Sequence, residues 1–311
     1  MINSLKLIHY IGFVVVLVVM GLIGSDEGNS ADLMKKKTCL VTGGSSGVGK
    51  ATAMGIAELG ASVVIVCRNR DRGMQAVEEI KKKTGNPDIT LMSADLSSRD
   101  AIRKLADDFR RKYSSLHVLL NCAGIILYKR EVTRDGIERV FAIDYLAHFL
   151  LTNLLVDLLK KSAPSRVITV GGNPLYIRNA SISLNDLQLE RGYRWMRAAR
   201  QAFAARVVFT YELARRLSGT KVTANAFHPG FIRTNIHHSL PWYMRLPLNL
   251  LQPLLSRSCE TGVYLASSPE VEGITGRVFV KKKPIEFEPS WYTPEVGLVL
   301  WEISEKLTGL K

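Results

Sequence analysis

A glycine-rich stretch near the start of the chain reads TGGSSGVG at residues 42–49, and it indicates the fold. It follows a short apolar run, Thr38–Thr42, and precedes a segment with helical spacing of small and apolar residues, Ala51–Leu59. Glycines at a strand-to-helix turn let backbone N–H groups approach an anion, and the helix N-terminus adds a favourable dipole. The stretch therefore predicts a turn that binds the pyrophosphate of a dinucleotide.

Short β-branched runs alternate with longer amphipathic segments through the rest of the chain. The predicted strands are Thr38–Thr42, Ser62–Cys67, Ile89–Ser93, His117–Asn121, Arg166–Val170 and Val222–Phe227. Such alternation implies right-handed βαβ units and a buried parallel sheet with helices on both faces. We predict an α/β fold, a Rossmann-like doubly wound parallel sheet in a single domain.

The length and composition agree with one packed α/β domain. The chain has 311 residues, of which 47% are hydrophobic and 23% charged, and this balance excludes disordered and collagen-like classes. Its four cysteines are scattered without a C-x-x-C pair. The sequence therefore predicts neither a disulfide scaffold nor a metal site.

The N-terminal segment is strongly apolar, reading IGFVVVLVVMGLI at residues 11–23. Together with its flanks it is long enough to span a bilayer, which predicts a membrane anchor helix over residues 1–24. A polar tether follows at 25–36, and the dinucleotide-binding domain occupies 37–311. Lys35, Lys36 and Lys37 outnumber Lys6, which favours a cytosolic main domain, on the endoplasmic reticulum in a eukaryote. A cleaved signal peptide is the alternative.

The chain carries a net charge of +14, which suggests an anionic partner. The basic residues are dispersed and no nucleic-acid-binding signature is present, so nucleic acid is not expected. Residues 241–255 are rich in apolar and aromatic side chains. This segment could be a lid over a lipophilic ligand, a contact with the bilayer or part of the core.

The end of the second predicted strand indicates which dinucleotide is bound. It reads Cys67-Arg68-Asn69-Arg70, where an NAD site usually has an acidic residue for the ribose 2′-hydroxyl. Arginines suit a 2′-phosphate instead, which predicts NADP(H) over NAD(H). The alternative is that these arginines form a solvated loop.

These motifs together resemble the short-chain dehydrogenase/reductase family, from about Lys36 to Leu310. Residues 42–49 match its T-G-x-x-x-G-x-G motif, and residues 121–124, NCAG, resemble its N-N-A-G motif. Stretches such as HFLLT at 148–152 look more closely like the membrane-bound retinol dehydrogenase branch. The cofactor-binding residues implied by the turn, the second strand and this resemblance are Thr42, Gly43, Ser45, Ser46, Gly47, Val48, Gly49, Arg68, Asn69, Asp95, Leu96, Asn121, Ala123, Gly124, Pro229, Gly230 and Thr234.

The resemblance also implies hydride transfer between a nicotinamide and an alcohol or carbonyl carbon, supported by a tyrosine, a lysine, a serine and an asparagine. Gapless alignment from residue 207 backward puts Ala199 at the tyrosine position and Phe203 at the lysine position. Gly172 stands for the serine and Asp144 for the asparagine. Tyr176, four residues after Gly172, is a weak substitute candidate as proton donor.

Three interpretations follow from the residues and the resemblance. The first is a membrane-anchored NADP(H)-binding protein with impaired or no catalysis, a pseudoenzyme with a scaffolding or regulatory role. The second is an NADP(H)-dependent oxidoreductase of a lipophilic alcohol or carbonyl that uses a displaced proton donor. The third is a structural membrane protein with an empty cleft. Homo-oligomer formation is compatible with all three.

Overall fold

Eight strands form the centre of the computed structural model, which describes residues 33–234, 236 and 239–311. The strands are β1 Thr38–Thr42, β2 Ser62–Cys67, β3 Ile89–Ser93, β4 Val118–Asn121, β5 Ser165–Val170, β6 Val222–His228, β7 Arg277–Val280 and β8 Lys283–Ile285. All six predicted strands are present, with ends that differ by at most one residue. The predicted anchor over residues 1–24 and most of the tether lie outside the described residues.

Nine helices connect or flank the strands in the described part of the chain. They are α1 Gly47–Glu58, α2 Arg70–Thr84, α3 Arg99–Lys112, α4 Arg139–Lys161, α5 Pro174–Ile177, α6 Trp195–Arg216, α7 Trp242–Leu251, α8 Glu260–Ser267 and α9 Pro294–Thr308. Helix α4 contains one π-helical segment, Ala142–Leu146. Short 3₁₀ turns follow α7 and α8, at Gln252–Leu254 and Pro269–Val271.

The sheet has the order β3-β2-β1-β4-β5-β6-β7-β8. Strands β1 to β7 are parallel, and Leu40 of β1 lies between Val64 of β2 and Leu119 of β4. Strand β8 is antiparallel to β7, an addition that the sequence did not predict. The chain order reverses between β1 and β4, and open α/β sheets bind ligands at such a point.

Helices cover both faces of the sheet, as the alternating pattern predicts. On one face α3, α4, α6 and α9 bury a core that includes Phe109, Phe149 and Phe209. On the other face α1, α2 and α8 bury a second core that includes Ile56 and Ile80. Helix α4 is long and apolar enough to cross a membrane by length and composition, but 72% of its apolar window is buried inside the protein. It is therefore the central core helix.

Candidate active-site cleft

A large cleft opens at the carboxyl ends of the parallel strands, beside the point where the strand order reverses. The turn from β1 into the first residues of α1 lines it through Gly43, Ser45, Ser46, Val48 and Gly49. An added Cβ at Gly49 would lie 2.5 Å from the carbonyl oxygen of Gly43, so only glycine fits there. The N-cap of α1, Ser46, makes no side-chain capping bond, which leaves the N–H groups of the first turn available to an anion. This turn fits a dinucleotide pyrophosphate.

Most of the residues predicted to bind the cofactor meet in this cleft. Those that line it are Gly43, Ser45, Ser46, Val48, Gly49, Arg68, Asp95, Leu96, Ala123, Gly124, Pro229, Gly230 and Thr234. They come from segments that are far apart in sequence, from Gly43 to Thr234, and the shared carboxyl edge of the sheet brings them together.

Four of the predicted residues lie behind the cleft surface. Thr42 accepts hydrogen bonds from the N–H groups of Cys122 and Ala123, at 3.0 and 3.2 Å. Asn121 is fully buried and donates to the Thr152 hydroxyl at 3.0 Å. The other two, Gly47 and Asn69, also lie outside the cleft lining. These residues shape the loops and do not themselves face the cavity.

Asn69 and Gly47 show what such supporting roles are. The Asn69 side chain accepts a hydrogen bond from the Arg72 N–H at 2.8 Å and caps α2. An added Cβ at Gly47 would lie 2.9 Å from the Thr234 hydroxyl oxygen, so this glycine lets two loops meet. The Asn69 cap fixes the start of α2, the helix that carries Arg72.

Arg72 is a cleft-lining cation that sequence reasoning missed. It lies in the first turn of α2, four residues after Arg68, which precedes the helix, and both side chains line the cleft together with Ser45. Arg70, considered from the sequence, is exposed and is not part of the lining. The signal that could have identified Arg72 is its place in the same short basic segment, residues 68–72.

Asp95 lines the cleft and is held in one orientation. Its Oδ1 accepts hydrogen bonds from the backbone N–H and the hydroxyl of Ser97, at 3.0 and 2.8 Å. Burial alone would raise its pKa, but these bonds and the charge of Arg68 lower the pKa of Asp95 below its ordinary value. The carboxylate therefore stays ionised and fixed.

The opposite end of the cleft contains Gly172 and Phe203. Gly172 has φ +76°, and a Cβ at this position would lie 2.9 Å from Cγ of the Phe203 ring. Ala199, one turn earlier on α6, is buried and does not line the cleft. The aromatic ring thus lies directly against the backbone at the end of β5.

Arg206 forms the centre of this end of the cleft and is 1% exposed. Its guanidinium donates to the carbonyl oxygens of Val170 and Ala123, at 3.0 and 2.8 Å, and to that of Asp144. Its Nη2 lies 3.3 Å from Oδ2 of the Asp144 carboxyl group. It also lies over the Phe203 ring, 4.9 Å from the centroid.

The π-helical segment of α4 places Asp144 so that both its carbonyl and its carboxyl group face Arg206. The other carboxyl oxygen accepts the Ile125 N–H at 2.8 Å. Burial raises the pKa of Asp144 to about 7, although Arg206 acts in the opposite direction. Gly124 is required beside this pair, because a Cβ there would lie 2.9 Å from Nη2 of Arg206.

Tyr176 does not reach the cleft, which corrects the expectation that it could serve as a substitute proton donor there. Its hydroxyl group donates to the Met196 carbonyl oxygen at 3.4 Å, and its ring lies 4.6 Å from the Arg200 guanidinium. It is absent from the cleft lining. Packing of α5 against α6, which sequence spacing does not reveal, turns it away.

His228 is a further cleft residue that the sequence analysis did not assign. It ends β6 directly before Pro229 and Gly230. Burial lowers the pKa of His228 to about 4, so its imidazole is neutral at physiological pH. Within the described ranges, no group of three or more His, Cys, Asp and Glu residues could hold a metal ion.

Comparisons with known proteins agree with this architecture. The short chain dehydrogenase family profile matches residues 37–175. The chain is 38% identical to retinol dehydrogenase 14 of Homo sapiens, covering 91% of this chain and 90% of that protein. It is 37% identical to human polyprenol dehydrogenase, covering 88% and 86%.

A solved structure of an uncharacterized protein from Mycobacterium paratuberculosis superposes with a TM-score of 0.71 at 28% identity, covering 91% of this chain and 98% of that one. Sheet, cleft and relatives lead to one conclusion. The chain belongs to the short-chain dehydrogenase/reductase family of oxidoreductases, whose members bind nicotinamide cofactors, and within it to the retinol dehydrogenase-like branch.

Proposed function

We propose that this chain is a membrane-anchored NADP(H)-binding protein that lacks the proton relay of its family and acts through nucleotide occupancy, as a scaffold or regulator. The binding half of the proposal rests on the glycine turn at 43–49 and on the two arginines, Arg68 and Arg72, at one end of the cleft. Two guanidinium groups suit the 2′-phosphate that distinguishes NADP(H) from NAD(H).

One observation carries the loss of catalysis. Gly172 lies against Phe203, Phe203 lies under Arg206, and Arg206 pairs with Asp144. By the family resemblance, Gly172 stands at the serine position, Phe203 at the lysine position and Asp144 at the asparagine position. The substitutions therefore form one packed cluster at the reacting end of the cleft.

The chemistry of this cluster argues against hydride transfer coupled to proton transfer. A bound nicotinamide supplies the hydride, but the alkoxide oxygen must exchange a proton with the protein. Arg206 does not release a proton in proteins, and its donors are directed to Val170, Ala123 and Asp144. Loss of general acid–base catalysis alone costs ~10²–10⁴-fold in rate.

The first experiment measures NADPH and NADH binding to the full chain in detergent by titration calorimetry. We expect NADPH to bind more tightly than NADH. Arg68→Ala and Arg72→Ala should each weaken NADPH binding about 10- to 100-fold, because a hydrogen bond to a charged group contributes roughly 1.5–3 kcal/mol. Arg70→Ala is the matched control, since Arg70 is exposed outside the cleft. Equal NADH and NADPH affinities would contradict the cofactor assignment.

The second experiment measures turnover of a panel of lipophilic aldehydes and alcohols. We expect negligible turnover by the natural chain, and a gain in a variant that combines Gly172→Ser, Ala199→Tyr and Phe203→Lys. The combined variant is needed because Phe203 must leave before a side chain fits at 172. NADPH-dependent turnover by the natural chain, at rates ordinary for an enzyme, would sink the noncatalytic proposal.

That outcome would support the second candidate, an NADP(H)-dependent oxidoreductase of a lipophilic alcohol or carbonyl. Its supporting observation is the 38% identity to retinol dehydrogenase 14 over 303 residues. A folded chain that binds neither nucleotide would instead support a structural protein with an empty cleft. Calorimetry and turnover together therefore separate the three interpretations.

The membrane part of the proposal rests on the apolar sequence at residues 11–23. We propose a retained anchor with the main domain on the cytosolic side, on the endoplasmic reticulum if the source is eukaryotic. Carbonate should fail to extract the chain from membranes, and added protease should digest the main domain without permeabilisation. Release by carbonate would contradict the anchor.

A further inference from the structure

Helix α7 and the turn after it expose a row of large apolar side chains. Trp242, Leu246, Leu250 and Leu254 are 70%, 53%, 71% and 68% exposed. They recur every four residues, so they lie on one face of the helix. We define these four residues as the α7 stripe.

The same helix carries polar side chains that border the cleft. Arg245 and Asn249 line the nucleotide cleft, and Gln252, directly after α7, donates to the Thr234 carbonyl oxygen at 2.6 Å. A helix on the surface of a soluble protein usually turns its large apolar side chains toward the core, whereas the four residues of the stripe face outward. The α7 stripe is therefore a surface that suits an apolar phase.

Its surroundings indicate a phospholipid bilayer as that phase. Trp242 and Tyr243, with ring centroids 6.1 Å apart, begin the helix, and aromatic rings of this kind favour the membrane–water interface. Two exposed arginines, Arg233 and Arg257, flank the other end, where the Arg233 N–H donates to Ser256 at 2.9 Å. Together with the net charge of +14, they suit anionic headgroups.

The start of the described chain lies on the same side of the molecule. Leu33 lines the same groove as Arg257. Arg257 comes three residues after Leu254, the last residue of the α7 stripe. The nine residues 24–32 link Leu33 to the apolar sequence at 11–23 and can span at most about 30 Å. A bilayer that holds residues 11–23, as the proposed function requires, is therefore within reach of α7.

We propose that the α7 stripe inserts into the interfacial layer of an anionic phospholipid bilayer, next to the N-terminal anchor. Because Arg245 and Asn249 of the same helix border the cleft, the cleft then opens at the membrane surface. A lipophilic ligand dissolved in the bilayer reaches the cleft past α7 without crossing water.

The test uses the full chain reconstituted in vesicles of phosphatidylcholine and phosphatidylserine, with brominated acyl chains as quenchers. Tryptophan emission is compared between the natural chain and Trp242→Phe, and the difference reports Trp242 among four tryptophans. We expect brominated lipid to quench this difference signal, and phosphatidylserine to strengthen the quenching. Neither reading depends on nucleotide binding, so the cofactor proposal can fail independently.

The matched variants place lysines on different surfaces. Leu246→Lys combined with Leu250→Lys should abolish quenching of Trp242, whereas Leu298→Lys, on an exposed position of α9, should leave it unchanged. The melting temperature of each variant confirms its folding. A chain that floats with vesicles while Trp242 stays unquenched overturns the docking of α7 but not the anchor. A chain that does not float with vesicles overturns both the anchor and the docking of α7. A dimer crosslinked through α7 would show that a second copy covers the stripe, and it would overturn the docking.

Discussion

Arg206 is the residue on which the reacting end of the cleft depends. It joins β4, β5 and α4 through Ala123, Val170 and Asp144, and it is buried. Removing one partner of a buried ion pair leaves an uncompensated charge, which costs about 3–5 kcal/mol.

We therefore expect Arg206→Met to lower the free energy of unfolding by about 3–5 kcal/mol in urea denaturation. Arg111→Met is the matched control, because its ion pair with Asp108 is exposed and should contribute little to stability. The double variant Arg206→Met with Asp144→Leu should recover part of the loss. Equal effects of Arg206→Met and Arg111→Met would contradict the role of the buried pair.

Asp144 predicts a pH dependence of stability. Burial raises its pKa from 3.8 to about 7, so the folded chain binds a proton that the unfolded chain has already lost. The stability due to this proton is complete below about pH 4 and is lost as the pH rises to about 7. The difference in unfolding free energy between the natural chain and Asp144→Asn should decrease by up to a few kcal/mol across this window, since one pKa unit corresponds to about 1.4 kcal/mol.

His228 predicts the opposite slope and serves as the comparison. Burial lowers its pKa from 6.5 to about 4, so protonation destabilises the folded chain as the pH falls through this range. The advantage of the natural chain over His228→Gln should therefore grow between pH 4 and pH 6.5. Parallel pH profiles for the two variants would show that neither group titrates as its surroundings require.

A side chain at position 172 should lower the free energy of unfolding, because it meets the Phe203 ring. Gly172→Ser adds a Cβ 2.9 Å from the Phe203 ring at φ +76°, and backbone strain plus overpacking should cost about 2–4 kcal/mol. Gly85→Ser is the control, because Gly85 has φ +68° but no atom within 4 Å of the added Cβ. Phe203→Ala should reduce the cost of Gly172→Ser to that of the control. An unchanged cost in that background would assign it to the backbone alone.

Among the elements, α4 positions the cleft through its first turn and its π-helical segment. Glu138 precedes the helix and accepts the N–H groups of Val140 and Phe141, at 2.9 and 2.7 Å. Glu138 is itself 1% exposed, so water cannot replace this cap.

We expect Glu138→Ala to cost about 2 kcal/mol of unfolding free energy, because two buried N–H groups lose their acceptor. Thr293→Ala, at the exposed N-cap of α9, should cost about 0.5–1 kcal/mol in the same assay. Hydrogen exchange over residues 139–143 should rise in the first variant only. Comparable losses of unfolding free energy in both variants would show that burial does not strengthen the Glu138 cap.

For the whole molecule, the strand order determines which distant segments respond to a ligand. The loops after β1, β4 and β6 meet at the reversal between β1 and β4. On addition of NADPH, hydrogen exchange should slow at residues 43–49, 122–125 and 228–232, and remain unchanged in α9. The combined Arg68→Ala and Arg72→Ala variant should lose this protection, and protection confined to α9 would contradict the cleft as the binding site.

The layered α/β architecture follows from patterns in the amino-acid sequence. Hydrophobic periodicity and the turn at 42–49 can be recognised in short stretches of sequence. These signals indicate the same architecture, because each helix must bury its apolar side against the sheet. Strands β7 and β8 were not predicted, because they are four and three residues long and no helix separates them to continue the alternating pattern. The residues predicted to bind the cofactor could be grouped from the sequence because most of them lie within contiguous motifs.

The arrangement of side chains around Arg206, at one end of the cleft, depends on tertiary structure. Asp144 and Arg206 are 62 residues apart, and no local pattern indicates that a π-helical segment turns one toward the other. Tyr176 is close to Gly172 in sequence but packs against α6, away from the cleft. The position of α7 beside the cleft likewise depends on tertiary packing. Long-range packing determines these contacts, because side-chain direction at a site depends on the neighbours that surround it.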